Sequence, residues 1–536
     1  MNALEAASLV MIPSGYENGT LGSLKPTDGT GDFTFSRGSD ISATRVNEDG
    51  YIEKGYENLL LQSNTFSDAA WSGLSKTSGI LGYDGTNNAW EITKPAQPYT
   101  PISQSVSATG VWTFSLYAKA NTLDKISIRN QTDGTRCDFD LLNGVAEFSG
   151  SNVISKNISN IGSGWYRCQV TFTGSTSQIA IYVAWNNSTA GSVYIQDAMI
   201  NQGMVSYPYV ETTTAPVAGG ILEDMPRLDY TDSSCPSLKL EPQRTNRCTS
   251  SEYFEGAAWL SVGSPTITTN YGISPEGVQN STRIVFSAAN QCIYDGIAYT
   301  SEEVSTIYVK GTSGETIKFG KGDNIFVGTL FTLNGTWQRL EFVQSVSGNT
   351  FTINTSGGAT ARDIEIWGAQ NEEASYPTSY IPTYGTSQTR SGDSCVANSI
   401  GDLIGQEQGS IYFEFNYSHN KINDFFFSAE SDANNHFRLW SLSDYKIRFW
   451  VYANSVSQFV ITTSSVPSEG RHKALFTYTD NNFNFYLDGV LVGTSLTGTS
   501  PIANTLRIKN INNETLQTLI FPTALSDDEC IELTTI

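Results

Sequence analysis

The chain of 536 residues contains only three histidines and no long apolar run. His419 and His436 have no cysteine or third histidine nearby at metal-ligand spacing, so neither a metal nor a cofactor is expected. No stretch of about 18 apolar residues exists, so insertion into a membrane is not expected. Residues Met1–Glu5 lack the basic region and the apolar core of a signal peptide, so synthesis and folding in a reducing cytoplasm are expected.

Charge is also scarce, and most of it has one sign. Charged residues make up 16% of the chain, and Asp and Glu outnumber Lys and Arg by 53 to 31, which gives a formal net charge of −22. So acidic a chain is repelled by phosphate backbones, and nucleic acid is not an expected partner. The 47 glycines and the 12% of aromatic residues are typical of all-β proteins with many turns.

The seven cysteines are an odd number and follow neither a metal nor a disulfide-framework spacing. They are expected to be reduced thiols, mostly packed as small apolar side chains. A bridge between Cys235 and Cys248 stays open as an alternative.

An internal repeat organises the first two thirds of the chain. Leu240–Asn246 and Phe254–Trp259 have a weaker copy 188 residues earlier, in Asn58–Leu61 and Phe66–Trp71. Further anchors recur in the same order, namely Tyr117 and Tyr308, Trp165 and Trp337, Arg167 and Arg339, and Tyr207-Pro208 and Tyr376-Pro377. The repeat predicts two copies of one domain.

The repeated tryptophans are candidates for both structure and binding. Trp71 and Trp259 follow Ala-Ala in both copies, which favours structural anchors over sugar-binding rings. Trp165 and Trp337 are expected to pack in strands. Trp90 and Trp185 have no tryptophan counterpart in the other copy, which leaves them freer to contact a ligand.

Turn signals and composition divide the chain into segments. Alternating apolar and polar residues, as in Ile126–Arg129, predict strands with one buried face. The predicted division is a leader or attachment segment over 1–55, sandwiches over 56–215 and 241–385 joined by a connector over 216–240, a linker over 386–395, and a terminal domain over 396–536.

The terminal domain carries clear local signals. Phe483–Gly493 predicts a hairpin that turns at Asp488-Gly489 with type I′ geometry. The one convincing helix covers Ser526–Leu533, where Ser526 and Glu529 have the spacing of a capping box.

The best candidate surface is a second hairpin, formed by His436–Trp440 and Lys446–Tyr452. Alternation predicts one apolar face, made of Phe437, Leu439, Ile447, Phe449 and Val451. The opposite face combines rings that can stack on a pyranose with cations that can pair with acidic sugars, and its predicted carbohydrate-binding residues are Arg438, Trp440, Arg448, Trp450 and Tyr452. The alternative is that Trp440 and Trp450 face a second core layer and form ordinary cross-strand pairs.

Several of these segments resemble a family of bacteriophage structural proteins with carbohydrate-binding-module-like sandwiches. The resemblance is carried by Phe35–Gly38, Pro226–Tyr230, Glu241–Asn246 and Trp367–Gln370, while residues 470–493 resemble the late strands of laminin-G-like, concanavalin-A-like jelly rolls. It implies an all-β fold of tandem jelly-roll β-sandwiches, with two carbohydrate-binding-module-like repeats and a concanavalin-A-like lectin domain. The first sandwich departs from the family pattern because it is inserted between the leader and Pro226–Tyr230.

The resemblance also implies a function. A tail-fibre or head-fibre appendage of a virion is expected, made in the host cytoplasm, with other virion proteins and host-surface carbohydrate as partners. By analogy with fibres the expected assembly is a homotrimer. The family supplies no catalytic residues.

Two alternatives stay open. One is a glycan-degrading virion enzyme, although the Glu-x-Asp-x-x-Glu string of concanavalin-A-like hydrolases is absent. Asp363-Ile364-Glu365 comes closest and is expected to be structural, but two carboxylates from different strands could still meet across a glycosidic bond. The other alternative is a decoration protein without a ligand.

Overall fold

A computed structural model describes residues 3–17, 20–39, 42–231, 233–298, 301–345, 347–357, 360–419, 424–509 and 514–536. Strands dominate these residues, which confirms the all-β prediction. Within the described ranges, the helices are too short and too polar for a transmembrane span.

The elements up to the second sandwich follow in chain order. The leader contains α1 (Ala3–Ala6), β1 (Leu9–Met11), β2 (Tyr16–Glu17), β3 (Thr20–Leu21), β4 (Phe33–Ser36), β5 (Thr44–Val46) and β6 (Ile52–Asn58). The first sandwich contains β7 (Ser72–Gly73), β8 (Ser75–Ile80), β9 (Ala89–Lys94), β10 (Pro101–Ala108), β11 (Val111–Ala120), β12 (Lys125–Asn130), β13 (Arg136–Asp140), β14 (Val145–Ser149), β15 (Val153–Gly162), β16 (Trp165–Thr173), β17 (Thr176–Val183) and β18 (Gly191–Gln202). The connecting segment contains β19 (Val217–Gly220), β20 (Arg227–Asp229), β21 (Ser237–Lys239) and β22 (Arg244–Asn246).

The remaining elements belong to the second sandwich and the terminal domain. The second sandwich contains β23 (Trp259–Val262), β24 (Thr266–Thr268), β25 (Thr282–Phe286), β26 (Cys292–Asp295), β27 (Glu303–Gly311), β28 (Thr316–Gly322), β29 (Thr329–Thr332), β30 (Gln338–Gln344), β31 (Thr350–Asn354) and β32 (Arg362–Glu372). The rest of the chain contains β33 (Gln388–Arg390), β34 (Ser394–Asn398), β35 (Gln408–Tyr417), β36 (Asp424–Asp432), β37 (Asn435–Ser441), β38 (Ile447–Ala453), β39 (Val456–Thr462), β40 (Gly470–Thr479), β41 (Asn482–Leu487), β42 (Val490–Ser495), β43 (Thr505–Ile508), β44 (Glu514–Phe521) and α2 (Asp527–Thr534).

Each repeated domain consists of two packed antiparallel sheets. In the first sandwich the strand orders are β14-β13-β12-β17-β10-β7 and β15-β16-β11-β18-β9-β8. In the second they are β23-β26-β31-β28-β29 and β24-β25-β32-β27-β30. Each pair of sheets encloses its own apolar core, in which alternate residues such as Ile126, Ile128, Ile364 and Ile366 are fully buried.

The terminal sandwich is assembled from three separate parts of the chain. Its first sheet, called T1 here, has the order β2-β3-β4-β34-β43-β36-β37-β38-β39. The second, T2, has the order β20-β21-β44-β35-β40-β41-β42, and β1 also pairs with β44. The two sheets share one core, to which Leu9, Phe33, Phe35 and Leu238 contribute together with residues of the C-terminal third.

This assembly differs from the predicted division of the chain. The sequence predicts a separate leader over 1–55 and a connector over 216–240, whereas strands of both segments lie in T1 and T2. Leu9 lies opposite Ile520, Phe35 opposite Cys395, and Leu238 opposite Thr515. The physical reason is that Phe33 and Phe35 alternate with exposed residues and bury their rings against the terminal core.

The two repeated sandwiches are therefore insertions into the terminal sandwich. Each one begins and ends at a pair of antiparallel strands, β6 with β19 for the first and β22 with β33 for the second. The register is the same in both pairs, since Asn58 lies opposite Val217 and Asn246 lies opposite Gln388. We call these pairs stem one and stem two.

A buried cluster of charges joins the three parts of the terminal sandwich. Arg37 of the leader donates to Asp393 at 3.1 Å, Arg227 of the connecting segment contacts both Asp393 and Glu241, and Arg390 reaches Glu241 at 2.8 Å. Burial alone would raise the pKa of Glu241, but Arg227 and Arg390 outweigh it and hold that pKa well below its usual range. Removal of one member would leave an uncompensated buried charge, so the cluster fixes where the three segments meet.

Local predictions in the terminal domain are confirmed. Asp488 and Gly489 have φ angles of 51° and 78°, as a type I′ turn between β41 and β42 requires. Ser526 accepts from the Glu529 backbone, and the Glu529 side chain caps the Ser526 backbone in return. All seven cysteines are free, so Cys235 and Cys248 are not joined, and Cys235 is the one that is exposed.

Candidate functional site

The predicted hairpin of the terminal domain is formed by β37 and β38 in sheet T1. His436 lies opposite Tyr452, Arg438 opposite Trp450, and Trp440 opposite Arg448. The apolar residues predicted for the inner face, Phe437, Leu439, Ile447, Phe449 and Val451, are all completely buried in the terminal core. The alternation of the sequence therefore assigned both faces of this hairpin correctly.

The outer face of T1 carries a continuous group of aromatic rings. The rings of Trp440 and Trp450 are 6.1 Å apart at 61°, and Trp450 and Tyr452 are 5.5 Å apart at 73°. His436 stacks on Tyr452 at 5.3 Å. The two tryptophans and the tyrosine remain partly exposed, so they form cross-strand pairs without entering a second core layer.

The two arginines of this face have different surroundings. Arg438 donates to Glu430 at 3.0 Å and to Ser428 at 3.1 Å, so its charge is neutralised within the sheet. Arg448 donates from Nε to Thr462 Oγ1 at 3.1 Å and has no carboxylate partner among the described residues. A guanidinium in this state can receive a carboxylate from a ligand. Arg448 is therefore the better candidate for an acidic group.

Hydrogen bonds orient most of the rings. Trp450 Nε1 donates to Ser457 Oγ at 3.0 Å, and the Tyr452 hydroxyl donates to the Ser455 carbonyl at 2.8 Å. Within the described part of the chain, the Trp440 indole nitrogen makes no hydrogen bond, and its ring lies 6.0 Å from that of Phe425. Trp440 thus offers both a ring face and a free donor, next to Arg448 on the neighbouring strand.

His436 is buried at one end of the ring group. Burial and the nearby Arg438 lower the pKa of its imidazole to about 4. The ring is therefore neutral at physiological pH, and it adds an aromatic surface rather than a charge to this face.

The two tryptophans that follow Ala-Ala are structural, as predicted. Trp71 and Trp259 are buried, and their indoles donate to the carbonyls of Gln62 at 3.0 Å and Ser250 at 2.8 Å. Each packs against the phenylalanine five residues earlier, at 5.0 and 4.8 Å between ring centroids. The anchor interpretation holds in both copies.

The other repeated positions also correspond in detail. Arg167 lies over Tyr117 and Arg339 over Tyr308, each at 5.6 Å from the ring centroid. Both arginines also donate to a carbonyl of the segment that ends their own sandwich, namely that of Tyr207 and that of Thr378. The similar contacts explain why these residues recur in the same order in the sequence.

Trp90 and Trp185, the unmatched tryptophans, differ from each other. Trp90 donates to the Asn64 carbonyl at 2.8 Å and packs on the first core. Trp185 lies against Tyr182 and Tyr99, with the guanidinium of Arg136 at 4.8 Å from its ring. Both rings are partly buried, and for Trp185 no hydrogen bond from the indole nitrogen is found among the described residues.

One tryptophan departs from its predicted environment. Trp165 is buried in β16, whereas its counterpart Trp337 lies just before β30 and is only partly buried. Trp337 lines a cavity of about 620 Å³ together with Tyr51 and Tyr308. One signal of this difference is present in the sequence, because the loops between the anchors have different lengths in the two copies.

The acidic residues of the chain bear on metal binding and on the string Asp363-Ile364-Glu365. No group of three or more His, Cys, Asp or Glu side chains in the part of the chain that the structure describes is arranged to hold a metal ion. Asp363 pairs with Arg283 at 2.6 Å and Glu365 with Lys310 at 3.0 Å, on neighbouring strands of the second sandwich. These contacts support the structural role predicted for the Asp363-Ile364-Glu365 string.

Comparison with known families places the terminal domain in a class. Residues 390–517 match the model of the concanavalin A-like lectin/glucanases superfamily. The protein is accordingly a chain of tandem β-sandwiches whose terminal sandwich is similar to concanavalin A-like lectins and glucanases. Among curated proteins, none matches the chain.

Solved structures with similar folds include carbohydrate-binding modules. One is the CBM40 of the Ruminococcus gnavus IT-sialidase bound to α2,3-sialyllactose, with 15% identity, coverage of 25% of this chain and 84% of that one, and a TM-score of 0.21. Another is domain 4 of a GH43 extracellular arabinanase from Geobacillus stearothermophilus in complex with arabinotriose, with 13% identity, coverage of 27% and 73%, and a TM-score of 0.23. Likenesses this distant bear on neither ligand nor activity.

Proposed function

We propose that the protein is a non-enzymatic, glycan-binding appendage of a bacteriophage virion, and that the outer face of sheet T1 contacts acidic carbohydrate on the host surface. One observation carries the binding part of this proposal. Arg448 has no carboxylate partner among the described residues and lies directly opposite Trp440, whose ring and indole N–H are available. The match of the terminal domain to a superfamily of lectins and glucanases supports the choice of ligand.

The chemistry of such a contact follows from the two side chains. The apolar side of a pyranose can stack on the Trp440 ring, while the sugar carboxylate accepts two hydrogen bonds from Arg448. Trp450 and Tyr452 extend the surface to a neighbouring sugar unit, because they continue the ring group along the same face. Each strong contact is expected to contribute about 1–3 kcal/mol.

Variants of the two arginines test the proposal. Arg448→Gln should weaken binding to immobilised uronate-containing or sialylated oligosaccharides by roughly 5- to 150-fold, which corresponds to about 1–3 kcal/mol. Arg438→Gln is the matched control, since its charge is already neutralised by Glu430. Equal losses for the two variants, or no preference for acidic over neutral glycans in the parent protein, would contradict the proposed site.

Trp440→Ala separates binding from folding. The ring is partly exposed, so its removal should abolish adsorption to host cells while the melting temperature of the terminal domain stays nearly unchanged. If Trp440 were instead part of a core, the same change would cost about 3–5 kcal/mol and unfold the domain. Binding and melting measured on one preparation distinguish these outcomes.

The virion role rests on the phage-like leader, repeats and connecting segment. A cryo-EM map of the phage particle should place the chain on the head or the tail, and light scattering of the isolated protein should give the mass of a trimer. Incubation with purified host capsule should release no oligosaccharide. Released oligosaccharide would favour the glycan-degrading alternative.

A further inference from the structure

The cavity beside Trp337 lies between the β5–β6 hairpin, the connecting segment and the second sandwich. Its volume is about 620 Å³, within the range of roughly 300–1,000 Å³ that is usual for small-molecule sites. Four aromatic side chains line it, namely Trp337, Tyr308, the buried Tyr380 and the half-exposed Tyr51. Sites at the junction of domains are a common location for ligands.

In the first sandwich the space equivalent to this cavity is filled by a tyrosine side chain. There Tyr83 stacks on Tyr117 at 3.8 Å, contacts the Trp165 ring edge-on at 6.4 Å, and donates to Asp197 at 2.8 Å. These contacts leave Trp165 fully covered. One tyrosine therefore occupies the space above the repeated pair of rings in the first copy.

The second sandwich lacks this cover. Gly368 stands at the position of Asp197. Trp337 packs against the buried cluster of Ile52, Trp367 and Tyr380, but among the described residues no tyrosine covers it as Tyr83 covers Trp165. Its indole instead donates to the Ile273 carbonyl at 3.0 Å, and Lys310 lies 5.9 Å from its ring centroid. The ring is thus fixed in orientation while one side borders the cavity.

Hydrogen bonds across the junction hold the cavity open. Thr44 Oγ1 donates to the Tyr380 carbonyl at 2.5 Å, and the backbone N–H of Ile52 donates to the Pro275 carbonyl at 2.9 Å. The hairpin of β5 and β6 is therefore tied to the second sandwich on both sides of the space. A frame of this kind preorganises a site, which reduces the entropy lost on binding.

The charges along the wall are balanced. Arg45 pairs with Glu53 at 2.7 Å, and Lys239 pairs with Asp229 at 3.1 Å. Arg227 contacts Glu241, and its buried Nε lacks a hydrogen-bond partner within the described ranges. Arg339 and Glu341 also line the wall and have no ion-pair partner among the described residues, but their charges are opposite in sign. The wall thus has no excess of free charge of one sign, which suits hydroxyl groups better than a carboxylate or an ammonium.

We infer that this cavity is a binding site for a neutral oligosaccharide, in which a pyranose stacks on Trp337 and its hydroxyls contact the paired charges. The site is separate from the outer face of T1 and takes a different class of sugar. The protein would then hold two glycans at once, an acidic one on the outer face of T1 and a neutral one in the cavity beside Trp337.

Saturation-transfer NMR of the full chain tests the inference, with maltotriose, cellotriose, xylotriose and chitotriose as probes. At least one of these should receive saturation from the protein, and Trp337→Ala should weaken its binding at least tenfold. Tyr51→Ala should also weaken it, and serves as a second variant because the half-exposed Tyr51 side chain can be shortened without opening a core. Trp440→Ala is the control and should leave this binding unchanged.

The outcomes separate the two proposed sites. Binding of none of the four neutral trisaccharides, or binding that survives both Trp337→Ala and Tyr51→Ala, would overturn the inference. Loss of neutral binding in Trp440→Ala would also overturn it, since the sugar would then lie on T1. Failure of acidic glycans to bind T1 would leave this cavity unaffected.

Discussion

The two inserted sandwiches keep the same anchors but differ above one repeated tryptophan. In the first, Tyr83 covers Trp165 and joins it to Tyr117. In the second, the equivalent ring of Trp337 borders a cavity. The presence of Tyr83 thus makes Trp165 a closed structural position, and the lack of an equivalent side chain leaves Trp337 accessible. The strands beneath the two tryptophans are arranged alike.

The repeated anchors at the ends of the two stems have a common physical origin. Asn58 donates to the carbonyls of Ala198 and Val210, and Asn246 donates to those of Ala369 and Ile381. Both asparagines are fully buried at the end of their stems. Loss of either amide would leave two buried carbonyls without these donors, which favours asparagine at this position in both sandwiches.

The largest predicted effect is a difference in stability loss when each of the two tryptophans, Trp165 and Trp337, is replaced by alanine. Trp165→Ala should cost the first sandwich about 3–5 kcal/mol, because a fully buried indole leaves a cavity behind. Trp337→Ala should cost the second sandwich only about 1 kcal/mol, since its ring already borders empty space. Hydrogen exchange of each sandwich in the intact chain measures both values, and equal losses would show that Trp337 is a core residue.

The sequence predicted features that depend on neighbouring residues. The faces of β37 and β38 follow from alternation, the turn between β41 and β42 from Asp488-Gly489, and the cap of α2 from Ser526 and Glu529. Each of these signals lies within a few residues of the structure that it specifies. The tandem sandwiches themselves followed from the repeat and from the resemblance.

The sequence did not predict features that join distant segments. β4 pairs with β34, which lies more than half of the chain away, and the residues Phe33–Ser36 do not indicate which strand they pair with. Glu241 belongs to a motif that carries the family resemblance, but the sequence does not predict its buried contacts with Arg227 and Arg390. The cavity beside Trp337 depends on the absence, in another loop, of a side chain equivalent to Tyr83. No local sequence pattern around Trp337 predicts this absence.

A second prediction concerns how the stability of the terminal sandwich and that of the first inserted sandwich change with pH. The pKa of His436 is lowered to about 4, so the unfolded terminal domain takes up a proton more readily than the folded one. Stability from this group is complete above pH 6.5 and falls by up to about 3 kcal/mol as the pH drops to about 4. Asp197 behaves oppositely, because burial raises its pKa to about 6 and the first sandwich gains stability over a similar range.

Unfolding of each domain at pH 7, 5 and 4 checks this contrast. His436→Gln should reduce the acid sensitivity of the terminal sandwich, and Asp197→Asn should remove the corresponding gain in the first sandwich. A terminal sandwich that responds to acid equally with and without His436 would assign the effect to other groups.

The smallest expected effect concerns the cysteines, and it compares the connecting segment with the cores. Burial raises the pKa of Cys137 to about 12 and that of Cys292 to about 11, and both thiols lie inside their sandwiches. Cys235 is exposed on the connecting segment, outside the cores of both inserted sandwiches. Iodoacetamide at pH 8 should therefore add one label to the native protein, at Cys235, and seven after unfolding without reductant. Cys235→Ser should leave the native protein unlabelled, whereas two missing labels after unfolding would reveal a disulfide and contradict the free thiols of the fold.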